Sequence, residues 1–121
     1  MIYFDNNATT RIAPQVFEAM KPFLSDFYGN PSSAHAFGRE ARQIVEKSRE
    51  QVASLIGAKS VKEIIFTSGG TESDNWAILA AIEEHPDKKH IVTTQVEHEA
   101  VRKVCEKLEQ KGYEITRLEV D

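Results

Sequence analysis

Two short stretches hold residue types that could do chemistry. The first is Ser68-Gly69-Gly70-Thr71-Glu72-Ser73. Glycines let a backbone come close to a ligand, and free N–H groups at a helix start, helped by the helix dipole, favour an anion such as phosphate. The Thr71 hydroxyl can add a donor. An ordinary strand-to-helix turn with a threonine cap has the same residues, and the glycine pattern alone fits both. Two phosphate signatures are excluded: no Gly-Lys-Ser/Thr ending marks a Walker loop, and there is no Gly-x-Gly-x-x-Gly dinucleotide fingerprint. The second stretch is Val96-Glu97-His98-Glu99. A flat imidazole there could stack on a heteroaromatic ring, although, taken alone, Glu97 and His98 read as solvated residues of a helix start. His35 follows the turn Gly29-Asn30-Pro31-Ser32-Ser33 and fits either a helix start or a site. His85 and His90 flank Pro86-Asp87-Lys88-Lys89 and read as surface-loop positions. Four histidines and one cysteine without paired ligand spacing give no reason to expect a metal. Cys105 falls on an apolar stripe, where a thiol is a small buried hydrophobe and a poor nucleophile.

These residues need elements to position them. Residues 1–12 read as an extended arm. Pro14 suits the first turn of a helix, with Val16, Met20 and Phe23 on one face, and Pro22 should end or kink it. Ser32 or Ser33 can cap the next helix. Its stripe runs Phe37, Ala41, Ile44, Val45, Ser48, Val52 and Leu55, its Glu/Lys/Arg mixture over 39–50 is a solvated face, and Gly57 is its stop. The pattern then alternates: a strand at Glu63–Thr67, a helix at Thr71–Glu84, a strand at His90–Thr94, a helix at His98–Lys111 with Gly112 as its stop, and a strand at Glu114–Val120. That order predicts an α/β layer of parallel strands with right-handed crossovers. Loops after parallel strands gather on one sheet edge, which puts His98 beside the glycine turn.

Composition narrows the function classes. The chain has 121 residues, 40% hydrophobic and 28% charged, as expected of one globular domain at most. Nineteen acids against fifteen bases leave a net charge of −4, which argues against non-specific binding to nucleic acid or to an anionic membrane. No apolar run approaches the ~20 residues of a membrane span. Met1-Ile2-Tyr3-Phe4-Asp5 lacks the basic, apolar start of a signal peptide. A single cysteine permits no internal disulfide. Together these features predict a cytoplasmic protein.

Four motifs then occur in order: Tyr3–Thr10 (YFDNNATT), Gly29–His35 (GNPSSAH) with Gly38 following, Phe66–Asn75 (FTSGGTESDN) and Thr93–Val101 (TTQVEHEAV). On these the whole chain resembles the NifS-like cysteine desulfurases, in the class V aminotransferase group of fold-type I enzymes that use pyridoxal 5′-phosphate. The resemblance implies the N-terminal part of that fold: an α/β/α large domain with a mostly parallel sheet, incomplete here. Residues 1–30 would be an arm and helix of the small domain, and 31–121 the first part of the cofactor-binding large domain. It implies that Gly70 and Thr71 hold the cofactor phosphate. It also implies that His98 stacks on the cofactor ring and shuttles protons, and that Asn7, Ala8 and Thr9 approach the substrate end of the pocket.

The resemblance further implies that L-cysteine is converted to L-alanine, with sulfur carried as an enzyme persulfide. A homodimer and a sulfur-accepting partner such as an iron–sulfur scaffold follow from the same likeness. The family's Schiff-base lysine follows a histidine, whereas Lys88-Lys89-His90 has the reverse order and another place. Neither that lysine nor the family's nucleophilic cysteine is matched, and Cys105 is not the latter. The expectation is a piece of a longer, split or truncated protein, inactive alone and prone to associate through apolar surface. In that fold the strand at 63–67 does not pair with the strand at 90–94. A selenocysteine lyase, an aminotransferase of the same group, or a non-catalytic interaction piece are the competing expectations.

Overall fold

In the computed structural model, which describes residues 2–121, the chain divides into two compact units, one up to Ile64 and the other Ile65–Asp121.

The first unit opens with an extended stretch and continues into α1, Pro14–Ser25. Pro14 sits in its first turn, where a missing N–H costs nothing. Of the two outcomes expected at Pro22, an end or a kink, the end does not occur: one more turn follows, and the Pro22 carbonyl accepts from Asp26 N at 2.8 Å. A proline forfeits its own N–H and crowds the preceding turn, yet the chain beyond it remains free to stay helical. No residue of α1 is buried, and Val16, Phe17, Met20 and Phe23 all stand about half exposed.

The turn after it is built tightly. Ser33 N donates to Asn30 O at 3.0 Å and Ser32 N to Asn30 Oδ1 at 2.9 Å. Arg39 and Arg42 reach back to the carbonyls of Ala34 and Pro31, at 2.7 and 2.8 Å. The helix that follows is α2, Ala36–Ile56. Its cap is His35 rather than Ser32 or Ser33: the imidazole Nδ1 accepts from Gly38 N at 3.4 Å. The turn runs through Ser32 and Ser33 and the helix begins only at Ala36, so the cap position falls to His35. The middle of the expected stripe is half-buried, but Phe37 and Leu55 at its ends are exposed, and Ala53 is buried instead. Gly57 stops the helix in the left-handed conformation, φ 69°, as glycine permits.

A 3₁₀ turn at Val61–Glu63 occupies the first part of the expected strand at Glu63–Thr67. Ile64 is extended, with φ −97° and ψ 119°, but residues 64–67 form no ladder. A strand needs a partner to satisfy its N–H and C=O groups, and among the described residues none pairs with this segment.

The second unit contains α3, Gly70–Glu84, then β1, His90–Thr94, α4, Glu99–Gln110, and β2, Glu114–Leu118. The two strands pair in parallel, His90 with Glu114 through Thr94 with Leu118. Glu114 N donating to Lys89 O (2.7 Å) and Gln95 N to Leu118 O (3.0 Å) mark the ladder's two ends. At the start of the strands, His90 Nε2 lies 2.7 Å from Thr116 Oγ1, and Lys89 Nζ donates to Tyr113 OH at 3.1 Å. His90 is thus the first residue of a strand rather than a loop position.

The core sits under α4. Ala100, Val104, Cys105 and Leu108 are all buried, at the i, i+4, i+5, i+8 spacing of one helix face. Arg117 on β2 forks onto the Glu109 carboxylate at 3.1 and 2.8 Å, holding α4 to the sheet. α3 is apolar on several sides, but its half-buried residues are Asp74, Asn75, Ile78 and Ile82, while Trp76 and Leu79 stay exposed.

Candidate functional site

The start of α3 is an ordered turn with its helix amides left open. Glu72 Oε2 accepts from Ser68 N and Ser68 Oγ at 2.6 and 2.7 Å. Those bonds, the backbone one foremost, hold the Glu72 carboxyl below its usual value. Thr67 Oγ1 lies 2.7 Å from Ser73 Oγ, and both hydroxyls reach Gly69 O, at 3.2 and 3.3 Å. The first helical bond runs from Ser73 N to Gly69 O. The amides of Gly70, Thr71 and Glu72 precede it, and Gly69 contributes no capping side chain. Unsatisfied amides of this kind carry the positive end of the helix dipole.

Neither glycine of the turn is demanded by the chain itself. A Cβ added at Gly69 or Gly70 would meet nothing within 4 Å, and among the described residues only Gly57 and Gly112 take a left-handed φ. Gly69 is extended, a conformation open to any residue. What glycine adds here is open space above bare amides. That donor set suits a phosphate group, so the residues present fit the cofactor end that the resemblance assigns to Gly70 and Thr71.

His98 is the N-cap of α4, and its Nδ1 accepts from Ala100 N at 3.2 Å. With Nδ1 occupied as an acceptor, geometry assigns the neutral ring's proton to Nε2. The ring is exposed, so its faces and its Nε2–H are open to a ligand. Glu97 is half-buried and accepts from Thr94 Oγ1 at 3.0 Å, which fixes the loop entering α4. Of the two residues read from sequence as solvated, only His98 is exposed.

α3 and α4 pack together near their starts, where Asn75 Nδ2 donates to Ala100 O at 3.3 Å. The fold therefore brings Gly70, Thr71 and His98 to neighbouring helix starts. Asn7, Ala8 and Thr9 belong to the first unit. They lie in an exposed turn closed by Ala8 N and Thr9 N donating to Asp5 O at 3.2 and 3.4 Å. Sequence reasoning missed Asn75 as a link; its one signal was an asparagine inside a helix, where that residue is a weak former.

Cys105 is 1% exposed, and burial pushes its thiol up, with Arg117 opposing. The expectation that Cys105 is buried holds. Dithionitrobenzoate should therefore label the native chain at least about a hundredfold more slowly than the denatured chain, as thiolate character and access both demand. Fast native labelling would contradict the burial. Among the described residues no cluster of three or more histidine, cysteine or carboxylate groups could hold a metal ion, and no helix is long and apolar enough to cross a membrane.

With an open helix start on α3 and a capped, exposed imidazole opening α4 of the β1–α4–β2 unit, the chain falls in the α/β class. The family model for aminotransferase class-V matches residues 2–121, and the chain belongs to that family. Among curated proteins it is 56% identical over 121 residues to a cysteine desulfurase of Trichormus azollae, covering 100% of this chain and 30% of that protein. It is 47% identical over 120 residues to cysteine desulfurase NifS of Azotobacter vinelandii, again 30% of that protein. Of solved structures, a NifS-like protein superposes with a TM-score of 0.87 at 45% identity, covering 97% of this chain and 32% of the other. SspA in complex with cysteine gives 0.85 at 39% identity, over 96% of this chain and 33% of that one. The chain thus spans about a third of the length of the relatives it matches, and its helices and small parallel sheet are a part of their α/β fold.

Proposed function

We propose that this chain provides the phosphate- and ring-binding edge of a pyridoxal 5′-phosphate enzyme that takes sulfur from L-cysteine. The observation that carries the reading is the α3 turn, with uncapped amides beneath two glycines that the chain's own packing does not require. Gly70 and Thr71 would hold the phosphate, and His98 would lie against the ring with its Nε2–H outward. When bound, the cofactor supplies an electron sink for carbanion chemistry on an amino acid. The chain's residues bind and orient it, and His98 holds one proton at Nε2.

The desulfurase relatives and the solved complex of SspA with cysteine support L-cysteine as substrate; removal of its sulfur would leave L-alanine as product. Sulfur would leave as a persulfide on a reactive thiolate, a role that buried Cys105 cannot fill. A homodimeric, cytoplasmic enzyme passing sulfur to an iron–sulfur scaffold or another acceptor completes the proposal. Asn7, Ala8 and Thr9 stand at its substrate end, residues 1–30 in its small domain and 31–121 in its large domain.

The test is Gly70→Ala. Because the added methyl meets no protein atom and alanine favours a helix over glycine, the melting temperature should hold or rise slightly. Pyridoxal 5′-phosphate, followed by phosphorus NMR, should bind about tenfold more weakly, the effect of roughly 1.4 kcal/mol of steric loss. Equal binding by both forms, or no binding by the parent chain, would sink the assignment.

A further inference from the structure

One side chain ties together the two helix starts that carry the candidate groups. Asn75 lies in the second turn of α3 and is half-buried. Its Nδ2 donates to Thr71 O at 2.7 Å and to Ala100 O at 3.3 Å. Thr71 belongs to the anion-suited turn. Ala100 is the residue whose N–H is bound by the His98 ring. A single amide group thus holds the backbone of the phosphate turn on one side and the residue that orients the imidazole on the other. An asparagine inside a helix commonly competes with the helix backbone for hydrogen bonds; here both of its donors are spent on carbonyls, one of them in the neighbouring helix.

We propose that Asn75 is a positioning residue that sets the separation between the α3 anion site and the His98 ring, so that one ligand can use both. The proposal rests on the reading of the site given above. It concerns spacing alone: Asn75 itself touches neither the phosphate nor the ring.

Asn75→Ser separates the two bonds. In this chain the hydroxyls of Ser48 and Ser73 already reach the carbonyl four residues back, at 3.0 and 3.3 Å. Serine at position 75 can therefore keep the bond to Thr71 while losing the reach to Ala100. The probes are inorganic phosphate and pyridoxine 5′-phosphate, which has no aldehyde to couple with lysines, followed by NMR of the 121-residue chain.

In Asn75→Ser the resonances of the His98 ring and the Ala100 amide should move, and phosphate affinity should stay within about twofold. Pyridoxine 5′-phosphate affinity should fall about two- to tenfold, the worth of one ring–ring contact. Adding His98→Ala to that variant should cost nothing further, whereas His98→Ala alone costs the same factor. Asn75→Gln, which keeps the amide, should regain part of the loss. Shifts confined to α3, an undiminished effect of His98→Ala in the serine background, or a collapsed spectrum would each overturn the proposal. If the parent chain binds neither probe, the reading of the site fails, while the His98 and Ala100 resonances still decide whether Asn75 links the helices.

Discussion

Leu108→Ala should destabilise the second unit by about 3 kcal/mol, within the roughly 2–5 kcal/mol that emptying a buried leucine site costs. Leu108 is 3% exposed and closes the α4 stripe begun by Ala100, Val104 and Cys105. The other three side chains of that stripe are small or medium-sized, so little can collapse into the space left. The carbonyl of residue 108, which accepts from Lys111 N at 2.9 Å and from Tyr113 N at 3.1 Å where the chain turns into β2, survives the substitution, so the loss reads the side chain. Urea unfolding followed by circular dichroism measures the loss. Leu79→Ala is the control: at 47% exposure it should cost under about 1 kcal/mol. Similar effects at the two positions would mean that the core does not sit under α4.

Gly38→Ala should destabilise the first unit by about 2–3 kcal/mol, the range for forcing atoms into a filled space. The sign is the informative part. Gly38 lies inside α2, where alanine for glycine in an open helix gains about 1 kcal/mol. Here a Cβ would meet Ser33 O at 2.3 Å, Asn30 O at 2.7 Å and Ser33 Cβ at 2.7 Å. None of these can swing away, since two are backbone oxygens of a hydrogen-bonded turn. Gly29 has the same character, with a Cβ landing 2.2 Å from Phe37 O. The glycines of the GNPSSAH stretch are therefore there for close approach within the chain, unlike those at 69 and 70. A stabilised Gly38→Ala variant in thermal unfolding would show that the turn does not press on α2.

The contrast between these glycine pairs bears on what the sequence could reveal. Periodicity placed α2, α3, β1, α4 and β2 to within a few residues, because each buries or half-buries one face and ends on a recognisable residue such as Gly57 or Gly112. It misplaced the strand at Glu63–Thr67, because an apolar run reports a liking for extended backbone and not the presence of a partner. It also misassigned the α2 cap, since Ser32, Ser33 and His35 can all accept and only the turn's own bonds decide among them. The glycine turn and His98 were legible as candidates; the expectation that set them on one sheet edge needed a strand at Glu63–Thr67, which does not form, and it is the packing of α3 on α4 that links the two helix starts. Asn75 was not legible as a link, because a hydrogen bond to a residue 25 positions away leaves no local pattern.

The clasps at the start of the two strands have a consequence for how this unit can change. His90 with Thr116 and Lys89 with Tyr113 pin the alignment of β1 and β2 at the end opposite the one that leads to His98. A one-residue slip would have to break both and turn every side chain of the strand over. Alignment is thus guarded away from the candidate site, and side-chain changes at residues 95–98 would leave both clasps intact. The unit is built like a hand tool, with the rivet at one end and an interchangeable jaw at the other.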